Sequence, residues 1–349
     1  MPGTRVRNLK VTRLISGIKL APFLQPLYMP LKTAVLLTNL GTPNSLDRAA
    51  VKIFLQQFLS DKRVVEIPRL PWWFILNAII LPFRSGKSLQ GYQRIWTDEG
   101  SPLMVYSLRQ QAALQQKLGN EVPVVLAMRY GNPSFETVVG ELMASGLDRL
   151  IVLPLYPQNS ATTTATTFYH LADTLARKRN LPSIHFIDSY YQHPSYIKAL
   201  ANSVHAHWET SSHRNHLVIS FHGLPQVNVD RGDPYYDQCQ KTAKLLVDEL
   251  GLEAPDWSLC FQSRFGKQVW LKPYTSDVLA ELVANGTKSV DIICPGFSAD
   301  CLETLDEIEN EYCDFFMEQG GEQFHYIPAL NADDEHIEMM KSLVESYID

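Results

Sequence analysis

TAVLLTNLGTP, residues 33–43, and LVISFHGLP, residues 217–225, carry the reading of this chain. Each is a short apolar run that breaks at a G-x-P turn, as a buried strand does when it leaves a sheet. Further out, LPLYP (153–157) and CPGF (294–297) put a proline where two more apolar runs end. There a missing amide costs no ladder bond. Apolar runs alternate with amphipathic stretches throughout, so the expected fold is doubly wound α/β with parallel sheets covered by helices. The expected strands are Ala34–Asn39, Val122–Met128, Arg149–Leu155, His185–Asp188, Leu217–Phe221, Ser258–Phe261, Val290–Cys294 and Gln323–Ile327. The expected helices include Pro102–Leu118, Ser134–Ser145, Pro194–Glu209, Tyr236–Leu250, Ser276–Asn285 and Cys301–Gln319. The two G-x-P strands each open a half, and ligands of such sheets collect at the carboxyl ends of strands. Four strand ends, two per half, should therefore face a shared cleft.

At 349 residues, with 45% hydrophobic and 19% charged side chains, the chain is long enough for two domains and too apolar for disorder. Its 37 acids against 31 bases, net −6, provide no basic field and argue against a nucleic-acid partner. Residues 1–32 read as a basic extension: Arg5, Arg7, Lys10, Arg13 and Lys19 face no acid in residues 1–30. It reads either as a disordered or membrane-surface arm or as an upstream start preceding Met29. Five cysteines without a C-x-x-C pair and without a secretory signature suit a reducing, cytoplasmic setting. No apolar run reaches the roughly 20 residues that span a bilayer. The nearest, PWWFILNAIILPF at 71–83, flanked by Arg69, Arg84 and Lys87, reads as a buried helix or as an apolar lip at a pocket mouth or membrane face.

Nucleotide-binding and hydrolase signatures are missing: there is no G-x-G-x-x-G after the first strand, no G-x-x-x-x-G-K, no G-x-S-x-G and no H-E-x-x-H. His222 stands at one expected strand end. After another come Asp300, Glu303, Asp306, Glu307, Glu309, Glu311 and Asp314, while no Lys or Arg lies between Lys288 and Lys341. On a helix Glu303, Glu307 and Glu311 stack on one face and repel. This is either a solvated acidic face or a row of hard oxygen ligands and proton acceptors. A histidine and a glutamate converging on one cleft suggest a transfer in which protons leave as a metal arrives. No third His or Cys completes a hydrolytic zinc site, so the metal reads as substrate.

These motifs, with VDRGDPYY (229–236), FQSRFGKQVWLKPYT (261–275), CPGFSADCLETLDEIENEY (294–312), YQRIWTDEGSP (92–102), MRYGNP (128–133) and YIPALNADDEHIEMM (326–340), resemble ferrochelatase from about Thr33 onward. The resemblance implies insertion of ferrous iron into protoporphyrin IX with release of two protons to give protohaem, the terminal step of haem biosynthesis. It implies two similar Rossmann-like halves with the cleft between them: 33–188 plus 326–349, and 189–325. By match to the family motifs, His222 and Glu303 are the catalytic and metal-binding pair, with His222 as proton acceptor or metal ligand. Glu307 and Glu311 lie on the metal or proton path. Tyr92, Ser101 and Arg129 are propionate-side contacts, and Tyr130, Tyr156, Tyr235 and Trp270 line the porphyrin pocket. The acidic helix carries a π-type turn in relatives, and residues 71–83 correspond to the lip, a possible peripheral membrane contact. The implied mechanism is distortion of the planar ring toward a saddle that the iron can approach.

This sequence departs from many relatives in two places. No cysteine follows Cys313, so no 2Fe-2S cluster and no prosthetic group is expected. Cys301 stands where some relatives have a histidine beside the glutamate. The rivals are a chelatase for another tetrapyrrole and a porphyrin carrier without turnover, against which the retention of both His222 and Glu303 counts.

Overall fold

The computed structural model describes residues 32–211, 213–266 and 268–348; the basic extension lies outside the described residues. Two four-stranded parallel sheets form its frame. The first contains β1 (Thr33–Asn39), β2 (Val124–Met128), β3 (Arg149–Pro154) and β4 (Ser183–Phe186) in the order β2-β1-β3-β4. The second contains β5 (His216–His222), β6 (Trp257–Gln262), β7 (Ser289–Ile293) and β8 (Gln323–Ile327) in the order β6-β5-β7-β8. The topology is the same in both. Every residue of β1 is buried, as expected for a strand covered on both faces.

In each sheet the chain reverses its winding beside the central strand, β1 or β5, and the two G-x-P turns stand there. Gly41 has φ +106°, and a Cβ on it would lie 1.7 Å from the Tyr130 carbonyl oxygen. At Gly223 a Cβ would lie 2.6 Å from the Gln262 carbonyl oxygen. Both glycines let the exit of the neighbouring strand close over the turn, held by Tyr130 N–H donating to Leu40 O (2.9 Å) and Gly223 N–H donating to Gln262 O (2.8 Å). The glycine echo read in the sequence is thus the same device built twice.

The strands stand where the apolar runs place them, with ends shifted by one or two residues. β4 is displaced most, both its ends lying two residues before the expected stretch. Cys301–Gln319 departs most: residues Glu303–Tyr312 wind as a π-helix, and only Cys313–Glu318 is α-helical. Helix α1 (Arg48–Ser60) follows β1, capped by the Asp47 carboxylate, which accepts from the Ala49 and Ala50 amides. Then one helical run leads to the lip: α2 (Arg69–Ile75), a π-turn (Leu76–Ile80) and α3 (Leu81–Ile95). Helix α4 (Pro102–Leu118) lies across to the second half, where Gln110 Nε2 donates to Ser298 O (2.7 Å) and Asn331 O (3.0 Å). The last helix, Asp334–Glu345, packs on α4 and on the helix Pro194–Ser211. Lys117 pairs with its Asp334 and Glu338.

Candidate active site

His222 is the last residue of β5, at the switch point of the second sheet. Its Nδ1 lies 2.7 Å from Gly223 O. A carbonyl only accepts, so Nδ1 carries the proton and Nε2 is left as the basic nitrogen. Trp270 covers the turn, its ring 3.2 Å from where a Gly223 Cβ would be. The ring is fixed by its indole N–H donating to Phe265 O (2.8 Å).

The π-helix supplies the carboxylates. Cys301 N–H donates to Thr304 Oγ1 (3.0 Å), and Thr304 Oγ1 donates to buried Asp300 Oδ1 (3.0 Å), which pins the start of the helix. Gln262 Nε2 donates to the Glu303 carbonyl oxygen (2.8 Å). Glu307 is gripped by Ser263, whose N–H donates to Oε1 (2.7 Å) and whose hydroxyl donates to Oε2 (2.5 Å). To present both donors Ser263 takes φ +65°, a left-handed conformation uncommon outside glycine. Burial raises the Glu307 pKa above the usual carboxylate range. The Ser263 hydroxyl and the His222 imidazole oppose that shift, and the Glu303 charge adds to it. His222, Glu303 and Glu307 therefore share one electrostatic environment.

The sequence left the acidic segment without cations, and the structure supplies them from α3. Arg84 is set against Glu303 and Glu307, its own pKa lowered by burial and raised by both carboxylates. Its guanidinium lies 4.6 Å from the centre of the Phe265 ring. Ten residues further along the same helix, Arg94 grips Asp306 with two bonds (2.5 and 2.8 Å) and reaches Glu311 at 3.5 Å. Glu311 is half-exposed at the surface beside Arg94, so only Glu303 and Glu307 of the expected three-carboxylate row share the inner environment. The helices come this close at Gly91, where a Cβ would meet Asp306 Oδ2 at 2.5 Å.

A cavity between the lip and the start of the π-helix is lined by Leu40, Thr42, Arg84, Tyr92, Ser101, Cys301 and Glu303, among others. Thr42 ties its wall together, donating to Ser101 Oγ (2.7 Å) and contacting the Tyr92 hydroxyl, whose pKa is raised by burial and by Glu303.

Arg129, Tyr130 and Tyr156 fall in a second polar group at the exit of the first sheet. Arg129 Nη2 donates to Asp61 Oδ2 (2.5 Å), as do the Tyr130 hydroxyl (3.0 Å) and the Thr166 hydroxyl (2.7 Å). Both members of the ion pair are buried, so the guanidinium expected to meet a propionate is already engaged inside the protein. The Tyr156 hydroxyl is buried without a hydrogen-bond partner, near Tyr130 and Arg129. Tyr235 is buried against the Gly296 turn and Cys239. Arg84, Ser263, Asp61 and Arg94 are site residues that the sequence does not mark as such. Arg84 was legible only as a charge flanking the lip, and Ser263 only as a letter of FQSRFGK.

Of the lip's tryptophans, Trp72 is buried with its indole N–H donating to Leu59 O (2.7 Å). Trp73 is exposed alongside Leu70 (72%), Phe74, Ile79 and Phe83 (77%). One face of residues 71–83 is buried and the other presents apolar side chains to solvent. No helix among the described residues is long and apolar enough to cross a membrane.

The fold is one that chelatases use. The chain resembles the solved structure titled SirB from Bacillus subtilis with Fe3+ (TM-score 0.54, 13% identity, covering 91% of this chain and 99% of that one). It also resembles the sirohydrochlorin chelatase SirB from Bacillus subtilis subspecies spizizenii in complex with cobalt (TM-score 0.52, 13% identity, 90% and 95%). Its sequence matches the ferrochelatase family over residues 32–348. It is 54% identical over 319 residues to the ferrochelatase of Aeromonas hydrophila subsp. hydrophila (90% of this chain, 98% of that protein). It is 50% identical over 316 residues to that of Klebsiella pneumoniae (strain 342) (90% and 98%). The chain belongs to the ferrochelatase family: it is a metal chelatase, and its reaction is the insertion of iron into protoporphyrin in haem synthesis.

Proposed function

We propose that His222 Nε2 receives the first proton displaced from the porphyrin by ferrous iron, and that Glu303 and Glu307 take up charge as the metal arrives. The observation that carries this is the bond from His222 Nδ1–H to Gly223 O, which in the neutral imidazole leaves the lone pair on Nε2, at a switch-point strand end. Glu307, whose pKa is raised by burial, is matched to proton uptake nearer neutral pH than an ordinary carboxylate. Tyr92, Ser101 and Trp270 are assigned to the ring. Arg84 is the guanidinium in the cavity wall, placed to pair with a propionate by its two-pronged donor geometry. Arg129, through Asp61, positions Tyr130. Iron enters as substrate, and we assign no iron–sulfur cluster; cluster absorbance with bound sulfide in purified enzyme would overturn that.

The exposed apolar face of α2 and α3 is assigned to a peripheral contact with the cytoplasmic face of a membrane. Flotation with liposomes should be lost in a Trp73→Ser/Phe83→Ser double variant, and equal flotation of both proteins would exclude the lip. The reaction itself is followed by anaerobic incubation with ferrous iron and protoporphyrin, reading loss of porphyrin fluorescence and gain of haem absorbance over many turnovers. His222→Ala should remove turnover. Glu303→Gln should remove it while leaving porphyrin binding, and parallel loss of binding would make Glu303 structural.

A further inference from the structure

Asp291 lies in β7 with no exposed surface, and a buried carboxylate needs counter-charge. Among the described residues its ion-pair partners are two histidines. His325 is its register partner across β7 and β8 and brings Nδ1 to 3.2 Å from Oδ1. His207, on the helix Pro194–Ser211 that covers this face, brings Nε2 to 3.2 Å from the same oxygen. The three ligand atoms lie within 4.8 Å of one another. Oδ2 is held by Trp208 Nε1–H (2.8 Å) and the Asn215 amide (3.3 Å), and Asn215 Nδ2 donates to Oδ1 (3.0 Å).

Both imidazole contacts stand at the long end of the N–H···O range. Charge-assisted N–H···O⁻ bonds run about 2.7–2.9 Å, shorter than either imidazole contact. Ligand atoms around a tetrahedral cation with bonds of about 2.0–2.1 Å stand about 3.3 Å apart, close to the two N···O spacings of 3.2 Å, with the two nitrogens within 4.8 Å of each other. Asn215 Nδ2 also approaches His325 Nδ1, at 3.4 Å. An amide NH2 only donates, so Asn215 favours a lone pair on Nδ1, whereas Asp291 asks that nitrogen for a proton. A cation on Nδ1 uses that lone pair and supplies the counter-charge Asp291 asks for without a proton, while Asn215 Nδ2 keeps its bond to Oδ1 (3.0 Å). The side chains of His207 and His325 are 20% and 36% exposed, so solvent reaches the nitrogens. Asp291 pairs in register with Leu217, five residues before His222, or about 16 Å along the strand. The cluster is therefore separate from the cleft.

We propose that His207, Asp291 and His325 bind a divalent first-row transition metal, as a two-histidine, one-carboxylate set with the remaining positions open to water. Binding ties the helix Pro194–Ser211 to the edge of the second sheet.

The test uses chelator-stripped full-length enzyme titrated with Zn2+ by calorimetry and with Co2+ by visible absorption. The wild type should bind one equivalent more than either His207→Ala or His325→Ala. Zn2+ should raise its Tm by more than it raises that of either variant. His222→Ala should keep the extra equivalent, which separates this cation from metal in the cleft. Asp291→Asn, which keeps an acceptor oxygen but not the charge, should lose the cation while circular dichroism reports an intact fold. Equal stoichiometry and affinity in the wild type and both histidine variants would overturn the proposal. So would loss of the extra equivalent in His222→Ala alone, or no rise in the wild-type Tm, which would leave a hydrogen-bond cluster only.

Discussion

Ser263 shows how much a single side chain sets in this site. Its hydroxyl holds Glu307 toward the ionised form against burial, so removing it should raise the Glu307 pKa further. Ser263→Ala is expected to move the acid limb of the kcat/KM profile to higher pH and to cost roughly tenfold in rate on that limb. Ser263→Gly, which relieves the left-handed backbone but also lacks the hydroxyl, should move it the same way, and an unmoved limb in both variants would detach Ser263 from catalysis. Asp61 behaves oppositely to Glu307. Burial pushes its carboxyl up, but the Thr166 hydroxyl, the Arg63 amide, the Arg129 charge and the Tyr130 hydroxyl outweigh it and hold the pKa below 3.8. A lowered acid stabilises the fold above its unfolded-state pKa, and that contribution disappears as pH falls through the folded value. Asp61→Asn strands the Arg129 charge in the interior and should cost about 3–5 kcal/mol at neutral pH by urea unfolding. The variant should also show a shallower acid transition below pH 4. Neither residue was legible in the sequence, because a serine after a strand and an aspartate in FLSDKR carry no signal until the chain folds around them.

Among the elements, α3 against the π-helix is the contact on which the site depends. Gly91→Ala places a methyl on Asp306 and should separate the two helices, lowering the urea midpoint and raising KM for porphyrin. Arg94→Met should cost about 1–2 kcal/mol, less than a fully buried pair because Arg94 is half-exposed. The strands were readable because apolar runs broken by glycine and proline report burial directly. Pro102–Leu118 was readable to the residue for the same kind of reason, its proline and glycine bounding an amphipathic run. The winding of Glu303–Tyr312 could not be read from spacing. A three-carboxylate row at i, i+4 and i+8 fits several pitches, and only packing against α3 shows that Glu311 turns out to Arg94.

At the scale of the whole molecule, unfolding should carry the signature of His336. It is fully buried, with Nδ1 2.8 Å from Asn331 O, and burial depresses its pKa from 6.5 to about 4. A depressed base favours the fold above the unfolded-state pKa, so stability should fall as pH drops from about 6.5 toward 4, by on the order of 3 kcal/mol. His336→Leu should flatten that slope in denaturation series at pH 7, 5.5 and 4.5, and an unchanged slope would assign the acid sensitivity elsewhere. The duplication of the frame was legible from two glycines. The pairing of charges between distant segments was not, since residues 84 and 94 meet 303 and 306 only through tertiary packing. That pairing has a mechanical result. The helical run Arg69–Ile95 bears the greasy mouth over residues 70–83 and the counter-ions of the acidic segment, Arg84 and Arg94, directly after it. Mouth and counter-charge thus share one backbone, so a substitution that displaces this run alters the entrance for a flat ring and the charge of the chamber together.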